Sequence, residues 1–409
     1  MPRLTRRDLI LRASALGCSA AASPLLTPVA FASAPTDNRL VVIILRGAMD
    51  GLDVVQPYGD PGLRVARPDF AIGPDAGATD LDGFFALHAG MEALLPLWQA
   101  GELGFAHAVS TPYRNQRSHF DWQDLLEAGT AAGTEGGSHE DGWLNRLVQT
   151  IPGATRETAL AVGREDALIL RGAAPSVAWS PASRLALSPA TSDLLSMVYH
   201  DDPLFLDVFD DAEFYSGLLH GEFGDGGAED MAGAMADSLR DAPRSVSAQS
   251  LASFAAERLR ADARIASFSI GGWDTHRGQT NGMRRALRNL SGAIAELRQG
   301  LGADWDRTAV LAMTEFGRTV RQNGSGGTDH GTGSALIMAG GAVRGGRVLG
   351  DWPGLGEGAL FADRDLMPTR DVRAYAAWAM AGLFGTDRAA LESHIFPTLD
   401  LGPDPGLLR

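Results

Sequence analysis

The chain has 409 residues, 45% of them hydrophobic and 21% charged, with a formal net charge of -15 at pH 7. That is enough apolar chain for a large core, and the acidic balance argues against nucleic acid or an anionic membrane as the main partner. All 35 basic residues are arginine, which excludes Schiff-base and pyridoxal chemistry and a P-loop lysine.

Residues 1–34 read as a targeting segment. Thr5-Arg6-Arg7-Asp8-Leu9-Ile10-Leu11 places paired arginines ahead of apolar residues, as a twin-arginine export signal does. An Ala-rich stretch follows, then Ala30-Phe31-Ala32, a small-residue cleavage site. The expected destination is periplasmic or secreted, with the twin-arginine translocase as partner during export. Cys18, the only cysteine, lies inside this segment, so cleavage near Ala32 leaves a chain with no disulfide and no thiol nucleophile. No later apolar run is long enough to span a bilayer.

Residues 35–409 read as a single α/β domain. Arg39–Leu45 is a continuous apolar run rich in β-branched residues, the pattern of a central parallel strand. It ends in Arg46-Gly47-Ala48-Met49-Asp50, and Asp50 is either a ligand carboxylate past a first strand or part of an ordinary Asp-Gly turn. Residues 57–83 are rich in Pro, Gly and Asp and read as loop. Gly90–Gly101 has helical spacing, and Leu103–Val109 reads as a second strand. Ser118 then opens a helix, where it serves as an N-cap or as the holder of an anionic oxygen. Leu168–Leu170 suits a short strand. The acidic stretch around 195–245 reads as a solvated insertion. Ser247–Arg264 is an Ala-rich amphipathic helix, Ile265–Ile270 a strand, and Met283–Leu301 keeps helical spacing throughout. Strand-like runs at 308–313 and 334–339 enclose Glu315, Arg318 and an Asp329-His330 pair, and Arg370–Leu383 reads as the last helix. Strands alternating with helices predict a mostly parallel central sheet, and open sheets of that kind take ligands at the carboxyl ends of their strands.

Those ends collect one kind of chemistry. Imidazole and carboxylate suit divalent transition metals, and Asp274, His276 and His330 form a three-ligand set with an open position. Residues two apart on extended backbone share a side, so Asp274 and His276 can share an ion. Asp50 and Glu315 offer further carboxylates. His88, His107, His200, His220 and His394 lack this setting and read as structural or surface groups.

Six segments in order carry a resemblance: the export signal, Leu45–Leu52, Arg117–Asp121, Gly272–His276, Glu315–Thr319 and Thr328–Gly333. They resemble a bacterial exported family catalogued as domain of unknown function fifteen-oh-one. That family is similar to the alkaline phosphatase and sulfatase superfamily of metal-dependent ester hydrolases. The resemblance implies an alkaline-phosphatase-like three-layer sandwich and a divalent metal, zinc by preference. It implies Asp50, Asp274, His276, Glu315 and His330 as metal residues, Ser118 as nucleophile, and Arg318 or Arg117 as holder of a small anionic ester. Where the superfamily ends a core strand in Asp-His, this chain has Glu315-Phe316, one imidazole fewer. Three functions follow as expectations: an exported metal-dependent phosphate or sulfate ester hydrolase, a non-catalytic envelope protein that binds or assembles, or a metal-delivery protein.

Overall fold

The computed structural model describes residues 36–112, 119–130, 141–163, 167–179 and 247–409. The targeting segment, Arg117, Ser118 and the acidic stretch around 195–245 lie outside the described residues.

Described strands are β1 (Arg39–Leu45), β2 (Val55–Gln56), β3 (Thr79–Asp80), β4 (Ala86–Leu87), β5 (Leu103–Ser110) and β6 (Ala159–Val162). They continue with β7 (Val177–Trp179), β8 (Ile265–Ile270), β9 (Thr308–Thr314), β10 (Ser334–Ala339), β11 (Val348–Leu349) and β12 (Arg370–Asp371). The longer helices are α1 (His119–Ala128), α2 (Trp143–Thr150), α3 (Ala248–Arg260), α4 (Gln279–Leu301) and α5 (Val372–Phe384). Nine strands form the main sheet in the order β11-β5-β10-β9-β1-β8-β6-β7, with β12 also on β5, while β2, β4 and β3 make a small separate sheet. In the main sheet only β10 is reversed, antiparallel to both β9 and β5.

The sheet is the middle of three layers. Every residue of β1 is buried, and its alternation feeds two cores. Val41, Ile43 and Leu45 join α3 and α4 on one face, whereas Leu40, Val42 and Ile44 join α2 and α5 on the other. Each such side chain contributes roughly 1.5–3 kcal/mol when fully buried, which is why a strand apolar from Leu40 to Leu45 belongs in the centre. On α4 the buried residues Met283, Ala286, Leu287, Leu290, Ala293, Ile294, Leu297 and Leu301 recur every three or four positions, one apolar stripe against the sheet.

The mostly parallel sheet is as the strand–helix alternation predicts, and the three layers are as the resemblance implies. Local differences have plain causes. Leu168–Leu170 is a 3-10 turn rather than a strand, because three apolar residues carry no readable period. The helix at Gly90–Gly101 is a 3-10 segment, Ala89–Leu94, running into a short α-helix, Leu95–Gln99. Helix α4 starts four residues before Met283, its first turn being polar. Arg370 belongs to β12, and Asp371 caps α5 by accepting from the Arg373 N–H.

Candidate metal centre

Strands β1, β5, β8 and β9 all end on one edge, and the chain continues from them into the segments that carry the site. Because β10 is reversed, the connection 315–333 leaves that edge and returns to it, so all its polar residues stay there.

Glu315 follows β9 and is fully buried. Its Oε1 accepts from the N–H groups of Gly47 (2.9 Å) and Ala48 (3.1 Å) just past β1, and the Thr314 hydroxyl donates to Oε2 at 2.8 Å. Successive N–H groups can converge this way because Gly47 and Ala48 both have positive φ, 120° and 60°. A Cβ on Gly47 would meet the Asp274 nitrogen at 2.7 Å, so the turn also requires glycine for packing. Helix α1 turns a polar stripe toward the same edge. His119 Nδ1 lies 2.8 Å from Glu315 Oε1, and Gln123, four residues on, donates to that oxygen at 3.1 Å. One turn further, Glu127 pairs with Arg46 at 2.6 Å, while Arg46 Nη1 donates to Gln123 at 2.7 Å.

The other ring nitrogens meet in front of this stripe. His330 Nε2 is 3.0 Å from His119 Nε2 and 3.0 Å from His276 Nε2. Asp274 Oδ1 lies 3.1 Å from His276 Nε2 and 3.5 Å from His330 Nε2, and its Oδ2 lies 3.7 Å from His119 Nε2. Behind two of the rings stands a carboxylate: Glu315 on His119 Nδ1, and Asp329 on His276 Nδ1 at 3.3 Å. A carboxylate against Nδ1, with Nε2 facing inward, is the outer arrangement that metal-ligating histidines use.

Electrostatics agree. Burial raises Asp274, but the Arg318 hydrogen bond and charge, with His276 and His119, outweigh it and hold the carboxyl below its ordinary range. Burial likewise raises Glu315, and the hydrogen bonds from His119, Gln123 and the backbone reverse the sign. Burial first, then the charges of His119, Arg318 and His276, lowers His330 to about 4, so its ring is neutral at pH 7 and available as a donor.

His119, Asp274 and His330 offer donor atoms that all lie within 4.8 Å of one another, with His276 beside them. A tetrahedral ion with bonds of about 2.0–2.1 Å needs its donors roughly 3.3 Å apart. The separations within this trio, 3.0, 3.5 and 3.7 Å, bracket that, and the nitrogen-rich set suits zinc or a neighbouring transition metal. Asp274 and His276 are 49% and 42% exposed in their side chains, which leaves the site open on that side.

Of the residues singled out in the sequence, Asp274, His276 and His330 come together. Glu315 stands one step behind them, against His119 Nδ1. Asp50 belongs to a separate buried network: Arg67 grips its two oxygens at 2.8 and 3.0 Å, and Gln279 donates to Oδ2 at 2.5 Å. Arg318 is buried, and its donors reach the carbonyls of Ala48, Thr328, Gly47 and Trp273 as well as Asp274. It clips the β1, β8 and β9 loops together. Arg117 and Ser118 are not among the described residues.

Sequence reasoning missed His119. The signal was the spacing His119, Gln123, Glu127, one polar face of a helix, next to a Ser118 that a cap already explained. Phe316 stacks on His119 at 5.0 Å and meets Trp122 edge-on at 4.7 Å. It forms an apolar wall behind the ring. His107, by contrast, is buried and bonded to the Val55 carbonyl, and burial lowers it to about 4, a structural histidine as expected.

The carboxylate behind His276 gives a direct test. Asp329→Asn keeps the shape but weakens the hold on Nδ1, and should lower zinc affinity roughly 10-fold. Competition with a chromogenic chelator measures it, and an unchanged affinity would remove Asp329 from the centre.

Fold and site together define an α/β protein with a candidate His/Asp metal centre at the carboxyl edge of its sheet. Residues 104–386 match the family described as "Protein of unknown function (DUF1501)", and the chain belongs to that family. No curated protein matches in sequence. Among solved structures it is similar to the lipoteichoic acid synthase LtaP from Listeria monocytogenes, at 10% identity and TM-score 0.32, over 73% of this chain and 61% of that one. The chain thus spans less than two thirds of that protein's length. It is similar to Ps i-CgsB at 9% identity and TM-score 0.39, over 86% and 72% of the two chains. A protein in the alkaline phosphatase superfamily from Vibrio parahaemolyticus aligns at 13% identity and TM-score 0.32, over 83% and 70%.

Proposed function

We propose that the protein is an exported, metal-dependent hydrolase of phosphate or sulfate esters, with zinc as the expected ion. The observation that carries this is the convergence of His119, His276 and His330 Nε2 with the Asp274 carboxylate, two of the rings being backed by carboxylates. These four residues would hold the ion, which supplies Lewis-acid polarisation to an ester when bound. Glu315 and Asp329 fix the ring tautomers, and Arg318 keeps Asp274 ionised and aimed. Ser118, directly before His119 in sequence, is assigned as the nucleophile, and Arg117 beside it as a holder of the anionic group. Export rests on the Thr5–Leu11 pattern. No helix among the described residues is long and apolar enough to cross a membrane.

The test is metal analysis of the folded, exported protein joined to a screen of aryl phosphate and aryl sulfate esters. One equivalent of divalent ion per chain is expected, with a rate that falls on chelation and returns with metal. Protein that takes up no divalent ion would end the reading.

A second reading, a binding or assembly role in the cell envelope, has one observation in its favour. Phe316 stands where the resemblance expects an imidazole for a second ion, and the described residues offer one candidate group. Full metal content without turnover of any ester in the screen would select it.

A further inference from the structure

Asp50 closes the sequence motif past β1, yet its carboxylate is held away from the imidazole cluster. What it touches instead leads back to the centre. Gln279, the first residue of α4, is fully buried. Its Nε2 donates to Asp50 Oδ2 at 2.5 Å and to Asp53 Oδ2 at 3.1 Å. Its Oε1 accepts from the hydroxyls of Thr275, at 3.1 Å, and Thr328, at 2.7 Å. Thr275 stands between Asp274 and His276, and Thr328 directly precedes Asp329 and His330.

We infer that Gln279 is a positioning residue for the metal centre, a strut that locks the two ligand-bearing loops to each other and to the buried Asp50–Arg67 pair. The inference rests on the metal reading given above.

Only an amide fits this place. The carboxylates of Asp50 and Asp53 accept, so they need the NH2 end, and the two hydroxyls can then turn their protons to the oxygen end. Both N–H donors and both lone pairs are used. A glutamate would set a third carboxylate against two others, and a leucine would leave four buried polar groups without this partner. The loops meet closely at the same point. Thr328 N donates to the Thr275 carbonyl at 3.2 Å, and a Cβ on Gly327 would come within 2.4 Å of that carbonyl oxygen. With so little space, a shift of Thr328 relative to Thr275 moves His330 relative to Asp274 and His276, and the donor separations change with it. Asn323 ties the same loops on the outer side, donating to the His276 carbonyl at 3.0 Å and to Asp329 at 3.1 Å.

The experiment uses the full chain and Co2+ as probe, reading affinity by chelator competition and geometry by the visible absorption of the bound ion. Thr328→Ser keeps the hydroxyl and should bind Co2+ as the wild type does. Thr328→Val should bind roughly 10-fold more weakly, and Gln279→Leu up to roughly 100-fold more weakly with an altered spectrum. Thermal melting of the metal-free proteins separates loss of fold from loss of aim. If Thr328→Val and Gln279→Leu match the wild type in affinity and spectrum, or lose only melting temperature, the inference is overturned. Wild-type protein that takes up no Co2+ overturns the metal reading itself and this inference with it. That case differs visibly from failure of the strut alone, in which the wild type still binds.

Discussion

Replacing His330 by alanine should abolish tight metal binding while the fold survives. Its Nε2 is the atom that touches all three other donors, at 3.0 Å from His119, 3.0 Å from His276 and 3.5 Å from Asp274. Losing a direct ligand should exceed the roughly 10–100-fold penalty of losing an outer partner. The backbone of residue 330 keeps its own ties, a bridge to Arg318 and a carbonyl that accepts from Arg364 at 2.9 Å, so stability should change by about 1 kcal/mol or less. Ser118→Ala removes no ligand and should keep full metal content even if ester turnover falls. Metal content and esterase rate of the two variants decide the point. If His330→Ala stays loaded and active while Ser118→Ala is dead, the imidazole cluster is not the reactive centre.

Removing the guanidinium of Arg67 should produce the largest loss of stability, about 3–5 kcal/mol. Arg67 and Asp50 are each 1% exposed, and the pair is bidentate. The same guanidinium donates to the carbonyls of Val320 and Thr319, both at 2.9 Å. Arg67→Leu would strand the Asp50 charge in a place where water cannot reach it. Arg67→Lys would not repair this, because an ammonium cannot reproduce two parallel bonds and the carbonyl contacts at once. Urea denaturation gives the number through a shift of midpoint at constant slope. A loss under 1 kcal/mol would mean the pair is dispensable.

The sheet and the edge that carries the site could be read from the chain, whereas the wiring between residues could not. Arg39–Leu45 and Ile265–Ile270 are strands with the bounds read from the sequence, the first because a buried run rich in β-branched residues belongs in a sheet's interior. The rule that ligands gather past strand ends pointed to Asp50 as well as to Asp274, His276, Glu315 and His330. It could not say which carboxylate faces which ring. Glu315 reaches His119 because α1 crosses the edge, and a helix crossing is a tertiary fact. Asp50 is held by Arg67, which lies in a Pro/Gly/Asp-rich stretch where no periodicity marks a contact. Arg318 stands beside Glu315 in sequence, and only the three converging loops show that its guanidinium is enclosed by carbonyls.

The position of β1 bears on how the molecule is made. Arg39–Leu45 precedes the other described strands, yet its neighbours in the sheet are β8 and β9, with Leu40 beside Ile265 and Arg39 beside Thr308. Until those strands are synthesised, seven residues destined for the interior have both edges open, the condition under which chains pair with the wrong neighbour. Such distant pairing is also slow to form. The strand order therefore leaves β1 without its sheet partners until β8 and β9 have been made, and the centre cannot assemble before His330 has been.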